Sequence, residues 1–512
     1  MAIIKDRFYW LLAALGLLAA WAVWWQMHWG PWAFSDSAAY IAAARNLAAG
    51  HGLSLLSPAG VYRPLTLHQP LYPWLLAGGL QAGLHPFTST TLLNIASAFG
   101  CVFVLSAAVY ARTGHKAAAL ALALAAASFP TLIDNLGGAM SEPLYLSLML
   151  LGLASLLAYL AGGSRASLYV SAACAALTML ARLVGAANVA AGALALVALA
   201  PGSRRARLND ALIFAVLGAL PALLWQFSLP ALAGRSFSAP AELGVQSASF
   251  WSQLVSSLAN SWVPQGSAWA GPVAALLGAG LLASLIAVAW QLWRGRSQTA
   301  WVHLGFVAGT HAVAYIMVCL AAFLFSNVQP DINPRTLLPL FPLLLWLGIS
   351  GLLALSPRRP GVVNAALLGM AALAVLAWAP QTQRLVNERY AEGHGYTAVY
   401  YRDSELLRTA RQLPQEAAWI SNLPALFLLY LDKPTYDLAE IYPNVRATNN
   451  PALGEGDTAL DPLMRNGGIL LLYTPQLRTS LGADASTHIE NLTRGLQRLY
   501  DGPEGQILIG QQ

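Results

Sequence analysis

The stretch FSDSAAYIAAARNLAAGHGL, residues 34–53, decides the fold class, because it is a polar stretch that comes just after the first long apolar run of the chain. That run covers residues 8–27, and Asp36 follows it closely. A carboxylate beside a membrane boundary is costly to desolvate, so such residues usually serve chemistry or ion transfer. The local alternative is that Asp36 caps a helix predicted for residues 37–49, since aspartate is a favoured N-cap residue. The two roles are compatible.

The composition is that of an integral membrane protein. Of the 512 residues, 57% are hydrophobic and 10% are charged, whereas about 25% are charged in a typical soluble protein. The net charge of +6 does not indicate a nucleic-acid partner, because the basic residues cluster in short loops between apolar runs. All three cysteines lie inside apolar runs, which argues against a disulfide framework.

Eleven apolar runs are predicted to cross the bilayer, since about 20 apolar residues span the hydrocarbon core. With eleven spans, every group of basic residues between runs falls on one side, which the positive-inside rule makes cytoplasmic. The count requires a turn at Arg182 between two short runs, and it places the N-terminus in the cytoplasm. The first run is too long for a signal-peptide core. The predicted spans are 8–27, 88–111, 117–133, 143–163, 167–181, 184–200, 209–231, 270–293, 300–326, 336–355 and 361–379.

Four segments fall on the opposite, extracytoplasmic side: 28–87, 134–142, 232–269 and the residues after about 380. The first is predicted to hold two short interfacial helices, at 36–49 and 70–84. The pattern divides the chain into a transmembrane domain, 1–380, and a more polar α/β domain, 381–512. In the latter we expect helices at 403–413, 423–431 and 486–499 and strands at 417–421, 468–473 and 505–509.

His68 and Gln69 stand immediately before the helix that Pro70 is expected to begin. His68 could orient a phosphate, ligate a metal or transfer a proton, and the alternative is a hydrogen-bonded interfacial histidine. Tyr72 follows in the same PLYPW element. Arg63, in VYRPL, is a weaker candidate for phosphate binding.

Asp134 and Glu142 stand at the two ends of one short outer loop. The helix dipole accounts for an acid such as Glu142 in a first turn, but it does not account for two acids in so short a loop. Arg182 and Arg335 adjoin apolar runs on the predicted outer side. Arginine suits bidentate phosphate binding, with snorkelling as the alternative. A divalent metal ion stays open as a cofactor, with Asp36, His68 and Glu142 as the candidate ligands.

Taken together, these segments resemble the GT-C superfamily of polyprenyl-phosphate-sugar-dependent glycosyltransferases. The closer resemblance is to the branch that holds protein O-mannosyltransferases and lipid A aminoarabinose transferases. It covers about residues 8–355 and, more loosely, the tail. In the family's order, it rests on DSAAYIAAARNLAAG, HQPLYPWLLAG, SEPLY, TMLARLVGAANVAAG and PRTLLPLFPLLL.

The resemblance implies a polytopic α-helical GT-C-like fold of about eleven transmembrane helices with a small C-terminal α/β extracytoplasmic domain. It also implies roles for single residues. Asp36 would be the base that activates the acceptor hydroxyl, and His68 would stand before an element that lines the catalytic cavity. Glu142 would help to build the site, while Arg182 and Arg335 would lie near the lipid phosphate. Three positions depart from the family's usual residues: Ser37, Gln69 and Thr336.

The function expected from the resemblance is transfer of a hexose or pentose from a polyprenyl phosphate, with inversion, at the outer face of a bacterial inner membrane. The acceptor could be a lipid, a glycan or a protein. Two alternatives stay open. A transporter or flippase would use intramembrane acids for ion coupling, but it predicts inverted repeats, which the sequence does not reveal. A polysaccharide polymerase or ligase would instead take a diphosphate-linked glycan.

Overall fold

The computed structural model of the protein describes residues 6–228, 243–263, 270–295, 299–326, 330–355, 360–442, 460–482 and 485–510. The chain forms two compact units. The first comprises Met1–Met27, Thr66–Tyr72 and Thr91–Glu388, and the second comprises His28–Leu65, Pro73–Thr90 and Arg389–Gln512.

Long apolar helices dominate the chain up to residue 392. Within the described residues, each of the eleven predicted spans overlaps a helix, although the span 117–133 is divided into two helices at Phe129. Among the described residues, seven helices are long and apolar enough to cross a membrane, and four shorter apolar helices accompany them. The elements of this part are α1 (Arg7–Gln26), α2 (Ser35–Ala48), β1 (Ser54–Leu56), β2 (Tyr62–Pro64), α3 (Leu71–Gln81), α4 (Pro86–Thr113), α5 (Lys116–Ser128), α6 (Pro130–Asn135), α7 (Glu142–Leu160), α8 (Arg165–Ala181), a 3-10 turn (Leu183–Gly185), α9 (Ala186–Leu199), α10 (Arg204–Ser228), α11 (Leu243–Trp262), α12 (Ala270–Trp293), α13 (Ala300–Phe325), α14 (Leu340–Leu355) and α15 (Pro360–Glu392).

The first unit is a bundle in which α8 packs on α7 and α10, and α13 packs on α9 and α14. Small residues allow the closest approaches. A Cβ on Gly192 of α9 would lie 2.4 Å from the Phe214 ring of α10, so these two helices meet at a glycine. Asp210, 1% exposed, accepts hydrogen bonds from Tyr159 and Arg165. These partners satisfy a buried carboxylate that would otherwise be costly.

The second unit contains α2, the antiparallel β1–β2 pair and a five-stranded sheet. The sheet order is β4-β3-β5-β7-β6. Strands β4, β3 and β5 are parallel, and β7 is antiparallel to both β5 and β6. The remaining elements are α16 (Val399–Arg402), α17 (Glu405–Ala410), β3 (Trp419–Ser421), α18 (Pro424–Leu431), β4 (Tyr436–Asp437), α19 (Leu438–Ile441), α20 (Leu460–Arg465), β5 (Ile469–Leu472), α21 (Thr474–Leu481), α22 (Ala485–Thr493), β6 (Leu496–Gly502) and β7 (Gly505–Gly510).

Among the differences from the sequence prediction, two have a clear physical reason. The helix predicted for 486–499 ends at Thr493, because Gly495 adopts a left-handed conformation (φ 75°) and the chain then enters β6, which pairs with β7. Helix α11 lies in a segment that was predicted as an outer loop. Serines and two glutamines alternate with its apolar residues, so the hydropathy pattern did not reveal it.

Candidate active site

Glu142, the first residue of α7, forms an ion-pair cluster with two arginines of the first unit. Its Oε1 lies 2.7 Å from Nη1 of Arg182 and 3.5 Å from Nε of Arg335. The Glu142 side chain is 5% exposed, whereas those of Arg182 and Arg335 are 26% and 32% exposed. The buried carboxylate thus holds two guanidinium groups, both on side chains that are partly accessible.

The turn between α8 and α9 places Arg182 in this cluster. Helix α8 ends at Ala181, and Arg182 is extended (φ −153°, ψ 136°) while its N–H still donates to the Thr178 carbonyl at 2.9 Å. The 3-10 turn that follows packs tightly against the end of α8. A Cβ on Gly185 would lie 2.5 Å from the Met179 nitrogen, so the turn requires glycine.

Arg335 is held by a hydrogen-bonded turn before α14. The Thr336 N–H donates to Asn333 Oδ1 at 3.0 Å, and the Thr336 hydroxyl donates to the Asp331 carbonyl at 2.7 Å. From α13, the buried Tyr315 hydroxyl donates to the Thr336 carbonyl at 2.5 Å. The backbone around Arg335 is therefore fixed from both sides.

The segment 66–72 adds polar residues to the first unit. His68 is half-buried, while Gln69 and Tyr72 are 4% and 1% exposed. Gln69 Oε1 accepts a hydrogen bond from Gln226 Nε2 of α10 at 3.2 Å. Asp134 is half-buried and lies within α6, so part of the predicted outer loop 134–142 is helical.

Asp36 and Arg63 belong to the second unit. Helix α2 begins at Ser35 with Phe34 as its N-cap, and the Ser37 hydroxyl accepts the Phe34 N–H at 3.0 Å. The alternative that Asp36 caps a helix over 37–49 is therefore wrong. Asp36 instead lies in the first turn, half-buried, where the helix dipole favours an acid. Arg63 is exposed on β2. That these two residues serve one site with the ion-pair cluster stays a prediction.

The donor set of the cluster does not suit a metal ion. The Glu142 carboxylate faces two guanidinium groups, which repel a cation from the same oxygens. Within the described ranges, no group of three or more His, Cys, Asp or Glu side chains could hold a metal ion.

Sequence reasoning missed several residues that support the site. Gln226 is a polar residue within an apolar helix, and this contrast in the sequence could have marked it as a candidate. Ser141 lies 3.4 Å from the Arg182 guanidinium and adjoins Glu142 in the sequence. Tyr315 gave no signal, because an aromatic residue within an apolar helix is ordinary.

Comparisons with known proteins show the fold. No protein-family description matches the sequence, and no curated protein matches it. Solved structures do match. The crystal structure of ArnT from Cupriavidus metallidurans bound to undecaprenyl phosphate has a TM-score of 0.54 and 12% identity, covering 99% of this chain and 100% of that one. In the apo state, ArnT has a TM-score of 0.52 and 14% identity, covering 97% and 98%.

A third structure extends the likeness to archaea. The oligosaccharyltransferase AglB from Archaeoglobus fulgidus, in complex with an inhibitory peptide and a dolichol-phosphate, has a TM-score of 0.50 and 12% identity, covering 99% of this chain and 75% of that one. The predicted architecture is confirmed: the chain is a helical integral membrane protein with the GT-C fold and a small C-terminal sheet region.

Proposed function

We propose that the protein is a membrane glycosyltransferase that moves a sugar from a polyprenyl phosphate to an acceptor hydroxyl. The observation that carries this proposal is the Glu142–Arg182–Arg335 cluster on a GT-C fold. Two partly exposed guanidinium groups, held by one buried carboxylate, suit a phosphate monoanion or dianion. Two similar structures that contain undecaprenyl phosphate and dolichol-phosphate support the same class of lipid.

Arg182 and Arg335 would stabilise the leaving group. The bond between the anomeric carbon and the phosphate oxygen breaks, and its electron pair stays on the phosphate. Cations fixed in advance at the position of that charge lower the barrier, because they need no reorganisation during the reaction. Glu142 would act as a positioning residue for both arginines rather than as an acid or a base, since its Oε1 contacts both guanidinium groups.

Asp36 would act as the general base. It takes the acceptor hydroxyl proton while the acceptor oxygen forms its bond to the anomeric carbon, and a single displacement of this kind inverts that carbon. His68, Gln69, Tyr72, Asp134 and Arg63 are the candidates for holding the sugar and acceptor. By the positive-inside rule the site would face the outside of a bacterial inner membrane. The identity of the sugar is tested by supplying polyprenyl phosphates that carry different sugars. The class of acceptor is tested by supplying lipid, glycan and protein acceptors in turn and measuring transfer to each.

The test of the base is Asp36→Asn in the purified protein, with a labelled sugar on a synthetic polyprenyl phosphate. We expect turnover to fall by about 100-fold or more, since general-base catalysis contributes roughly 10²–10⁴. Asp461→Asn is the matched control, because Asp461 is also an acid in the first turn of a helix, α20. Wild-type turnover in Asp36→Asn would remove Asp36 from this role.

A further inference from the structure

We propose that the C-terminal region, residues 389–510, positions α2 and thereby the base Asp36, with Gly395 and Arg45 as the positioning residues. This inference rests on the proposed function, because it gives Asp36 the role of base. Two contacts carry it, one on each side of Asp36 along the chain, and all the residues involved belong to the second unit.

The first contact holds the chain just before α2. Ala33 and Gly395 form a parallel bridge, in which the Tyr396 N–H donates to the Ala33 carbonyl at 2.7 Å. The Thr397 hydroxyl donates to the Pro31 carbonyl at 3.3 Å. Gly395 has φ 58°, and a Cβ there would lie 2.3 Å from the Ala33 oxygen. The bridge therefore requires glycine at 395.

Aromatic packing reinforces this contact. The Phe34 ring meets the His394 ring edge-on, with centroids 5.5 Å apart, and it meets the Tyr396 ring at 6.1 Å. Phe34 is the N-cap of α2, so the C-terminal region fixes the residue that immediately precedes the helix. Asp36 follows two positions later.

The second contact holds the last turn of α2. Arg45 Nη1 donates to the Leu428 carbonyl at 3.3 Å, and Nη2 donates to the Leu429 carbonyl at 3.1 Å. These carbonyls lie in the last turn of α18, where an α-helix has no internal partner for them. Arg45 Nη1 also lies 3.2 Å from Asp432 Oδ1, beyond the end of α18. One guanidinium group thus caps the neighbouring helix and ties α2 to it.

The two contacts are joined through α18. The Tyr430 hydroxyl donates to the Tyr396 carbonyl at 3.0 Å, and burial raises the pKa of Tyr396 and of Tyr430 to about 12, so both phenols stay protonated at neutral pH. Leu426 and Phe427 of α18 are fully buried in the core of the C-terminal region. The segment that holds the start of α2 is thus hydrogen-bonded to the helix that holds its end.

This arrangement has a catalytic consequence. A general base must lie within hydrogen-bond reach of the proton it removes, and a displacement of about 1 Å can lower turnover about 100-fold. Loosening α2 should lower kcat, while donor binding at the arginine cluster should change little.

Gly395→Ala in the full-length protein tests the first contact, with Gly467→Ala as the matched control. Gly467 also has a left-handed conformation (φ 78°), but a Cβ there meets nothing within 4 Å. The two variants share the backbone strain and differ in the clash with Ala33. We expect Gly395→Ala to lower kcat by about 10-fold or more, to leave the donor KM within about twofold, and to speed amide hydrogen exchange over residues 35–48. Gly467→Ala should do none of these.

Arg45→Met tests the second contact, because methionine keeps an unbranched apolar stem and removes the guanidinium group. We expect the same changes in kcat and hydrogen exchange, with partial recovery in Arg45→Lys. Wild-type kcat in both Gly395→Ala and Arg45→Met, or unchanged exchange over 35–48, would overturn the inference. If the wild-type protein transfers no sugar from any polyprenyl phosphate, the proposed function fails, and the exchange measurement still decides whether the C-terminal region holds α2.

Discussion

At the scale of single residues, Glu142 fixes the positions of two cations. A buried carboxylate is costly unless it is paired, and the loss of one partner leaves a buried charge without compensation. Here the two partners are themselves partly exposed, so the carboxylate is buried while both arginine side chains stay accessible. We propose that Glu142 acts by holding both arginines, in line with the expectation from the sequence that it helps to build the site.

The strength of this pairing can be measured with double-mutant cycles. Between Glu142→Gln and Arg182→Met we expect a coupling in the free energy of unfolding of about 0.5–3 kcal/mol, as is usual for residues in one salt-bridge network. The cycle of Glu142→Gln with Arg335→Met should give a smaller coupling, because that distance is 3.5 Å rather than 2.7 Å. Denaturant unfolding in detergent provides the measurement. A larger coupling to Arg335 would contradict the geometry.

Gly185→Ala should disturb the turn that places Arg182. The added Cβ would lie 2.5 Å from backbone atoms of Met179 and Thr178, and overpacking of this kind costs about 1–3 kcal/mol. We expect a lower melting temperature and weaker binding of undecaprenyl phosphate, measured by native mass spectrometry. Gly348→Ala is the control, because a Cβ there meets nothing within 4 Å. Equal behaviour of the two variants would show that the turn does not position Arg182.

At the scale of elements, the centre and the edge of the sheet should respond differently to the same substitution. Leu470 of β5 is fully buried between β3 and β7, so Leu470→Ala should cost about 2–5 kcal/mol. Leu499, on the edge strand β6, is 46% exposed, and Leu499→Ala should cost less than about 0.5 kcal/mol. Limited proteolysis of the C-terminal region can rank the two variants. A similar loss of stability in both variants would show that Leu499 is packed in the hydrophobic core of the C-terminal region.

The helices were predictable because the length and hydrophobicity of each apolar run can be read directly from the sequence. Residues 184–200 and 167–181 are short, yet the basic loops around them required two spans, and two helices are present. Strand β6 and helix α11 were not predictable, because pairing with β7 and tertiary packing decide them. In the site, Glu142, Arg182 and Arg335 could be selected by residue type. The pairing of one carboxylate with both arginines depends on the turns before α9 and α14. No local sequence pattern predicts the conformation of these turns.

At the scale of the whole molecule, the orientation in the membrane can be tested by labelling introduced cysteines. The native cysteines Cys101, Cys174 and Cys319 are all buried, so background labelling should be low. A membrane-impermeant maleimide should label Ala59→Cys, in the predicted outer loop, on intact spheroplasts. Ser164→Cys, beside the basic residue Arg165, should react after permeabilisation alone. The reverse pattern would invert the orientation and move the proposed site to the cytoplasm.

The parallel part of the sheet carries one further consequence. Asn422 follows β3, and its side-chain amide exchanges two hydrogen bonds with the main chain of Tyr473 after β5, at 3.1 and 2.9 Å. In open sheets of this strand order, the gap between those strand ends is where nucleotides and similar molecules usually enter. Here the side-chain amide of Asn422 bridges this gap and links the end of β3 to the end of β5. In this chain, hydrogen bonds close the position at which similar sheets bind a small molecule. A sheet closed in this way is suited to act as a rigid support for other elements.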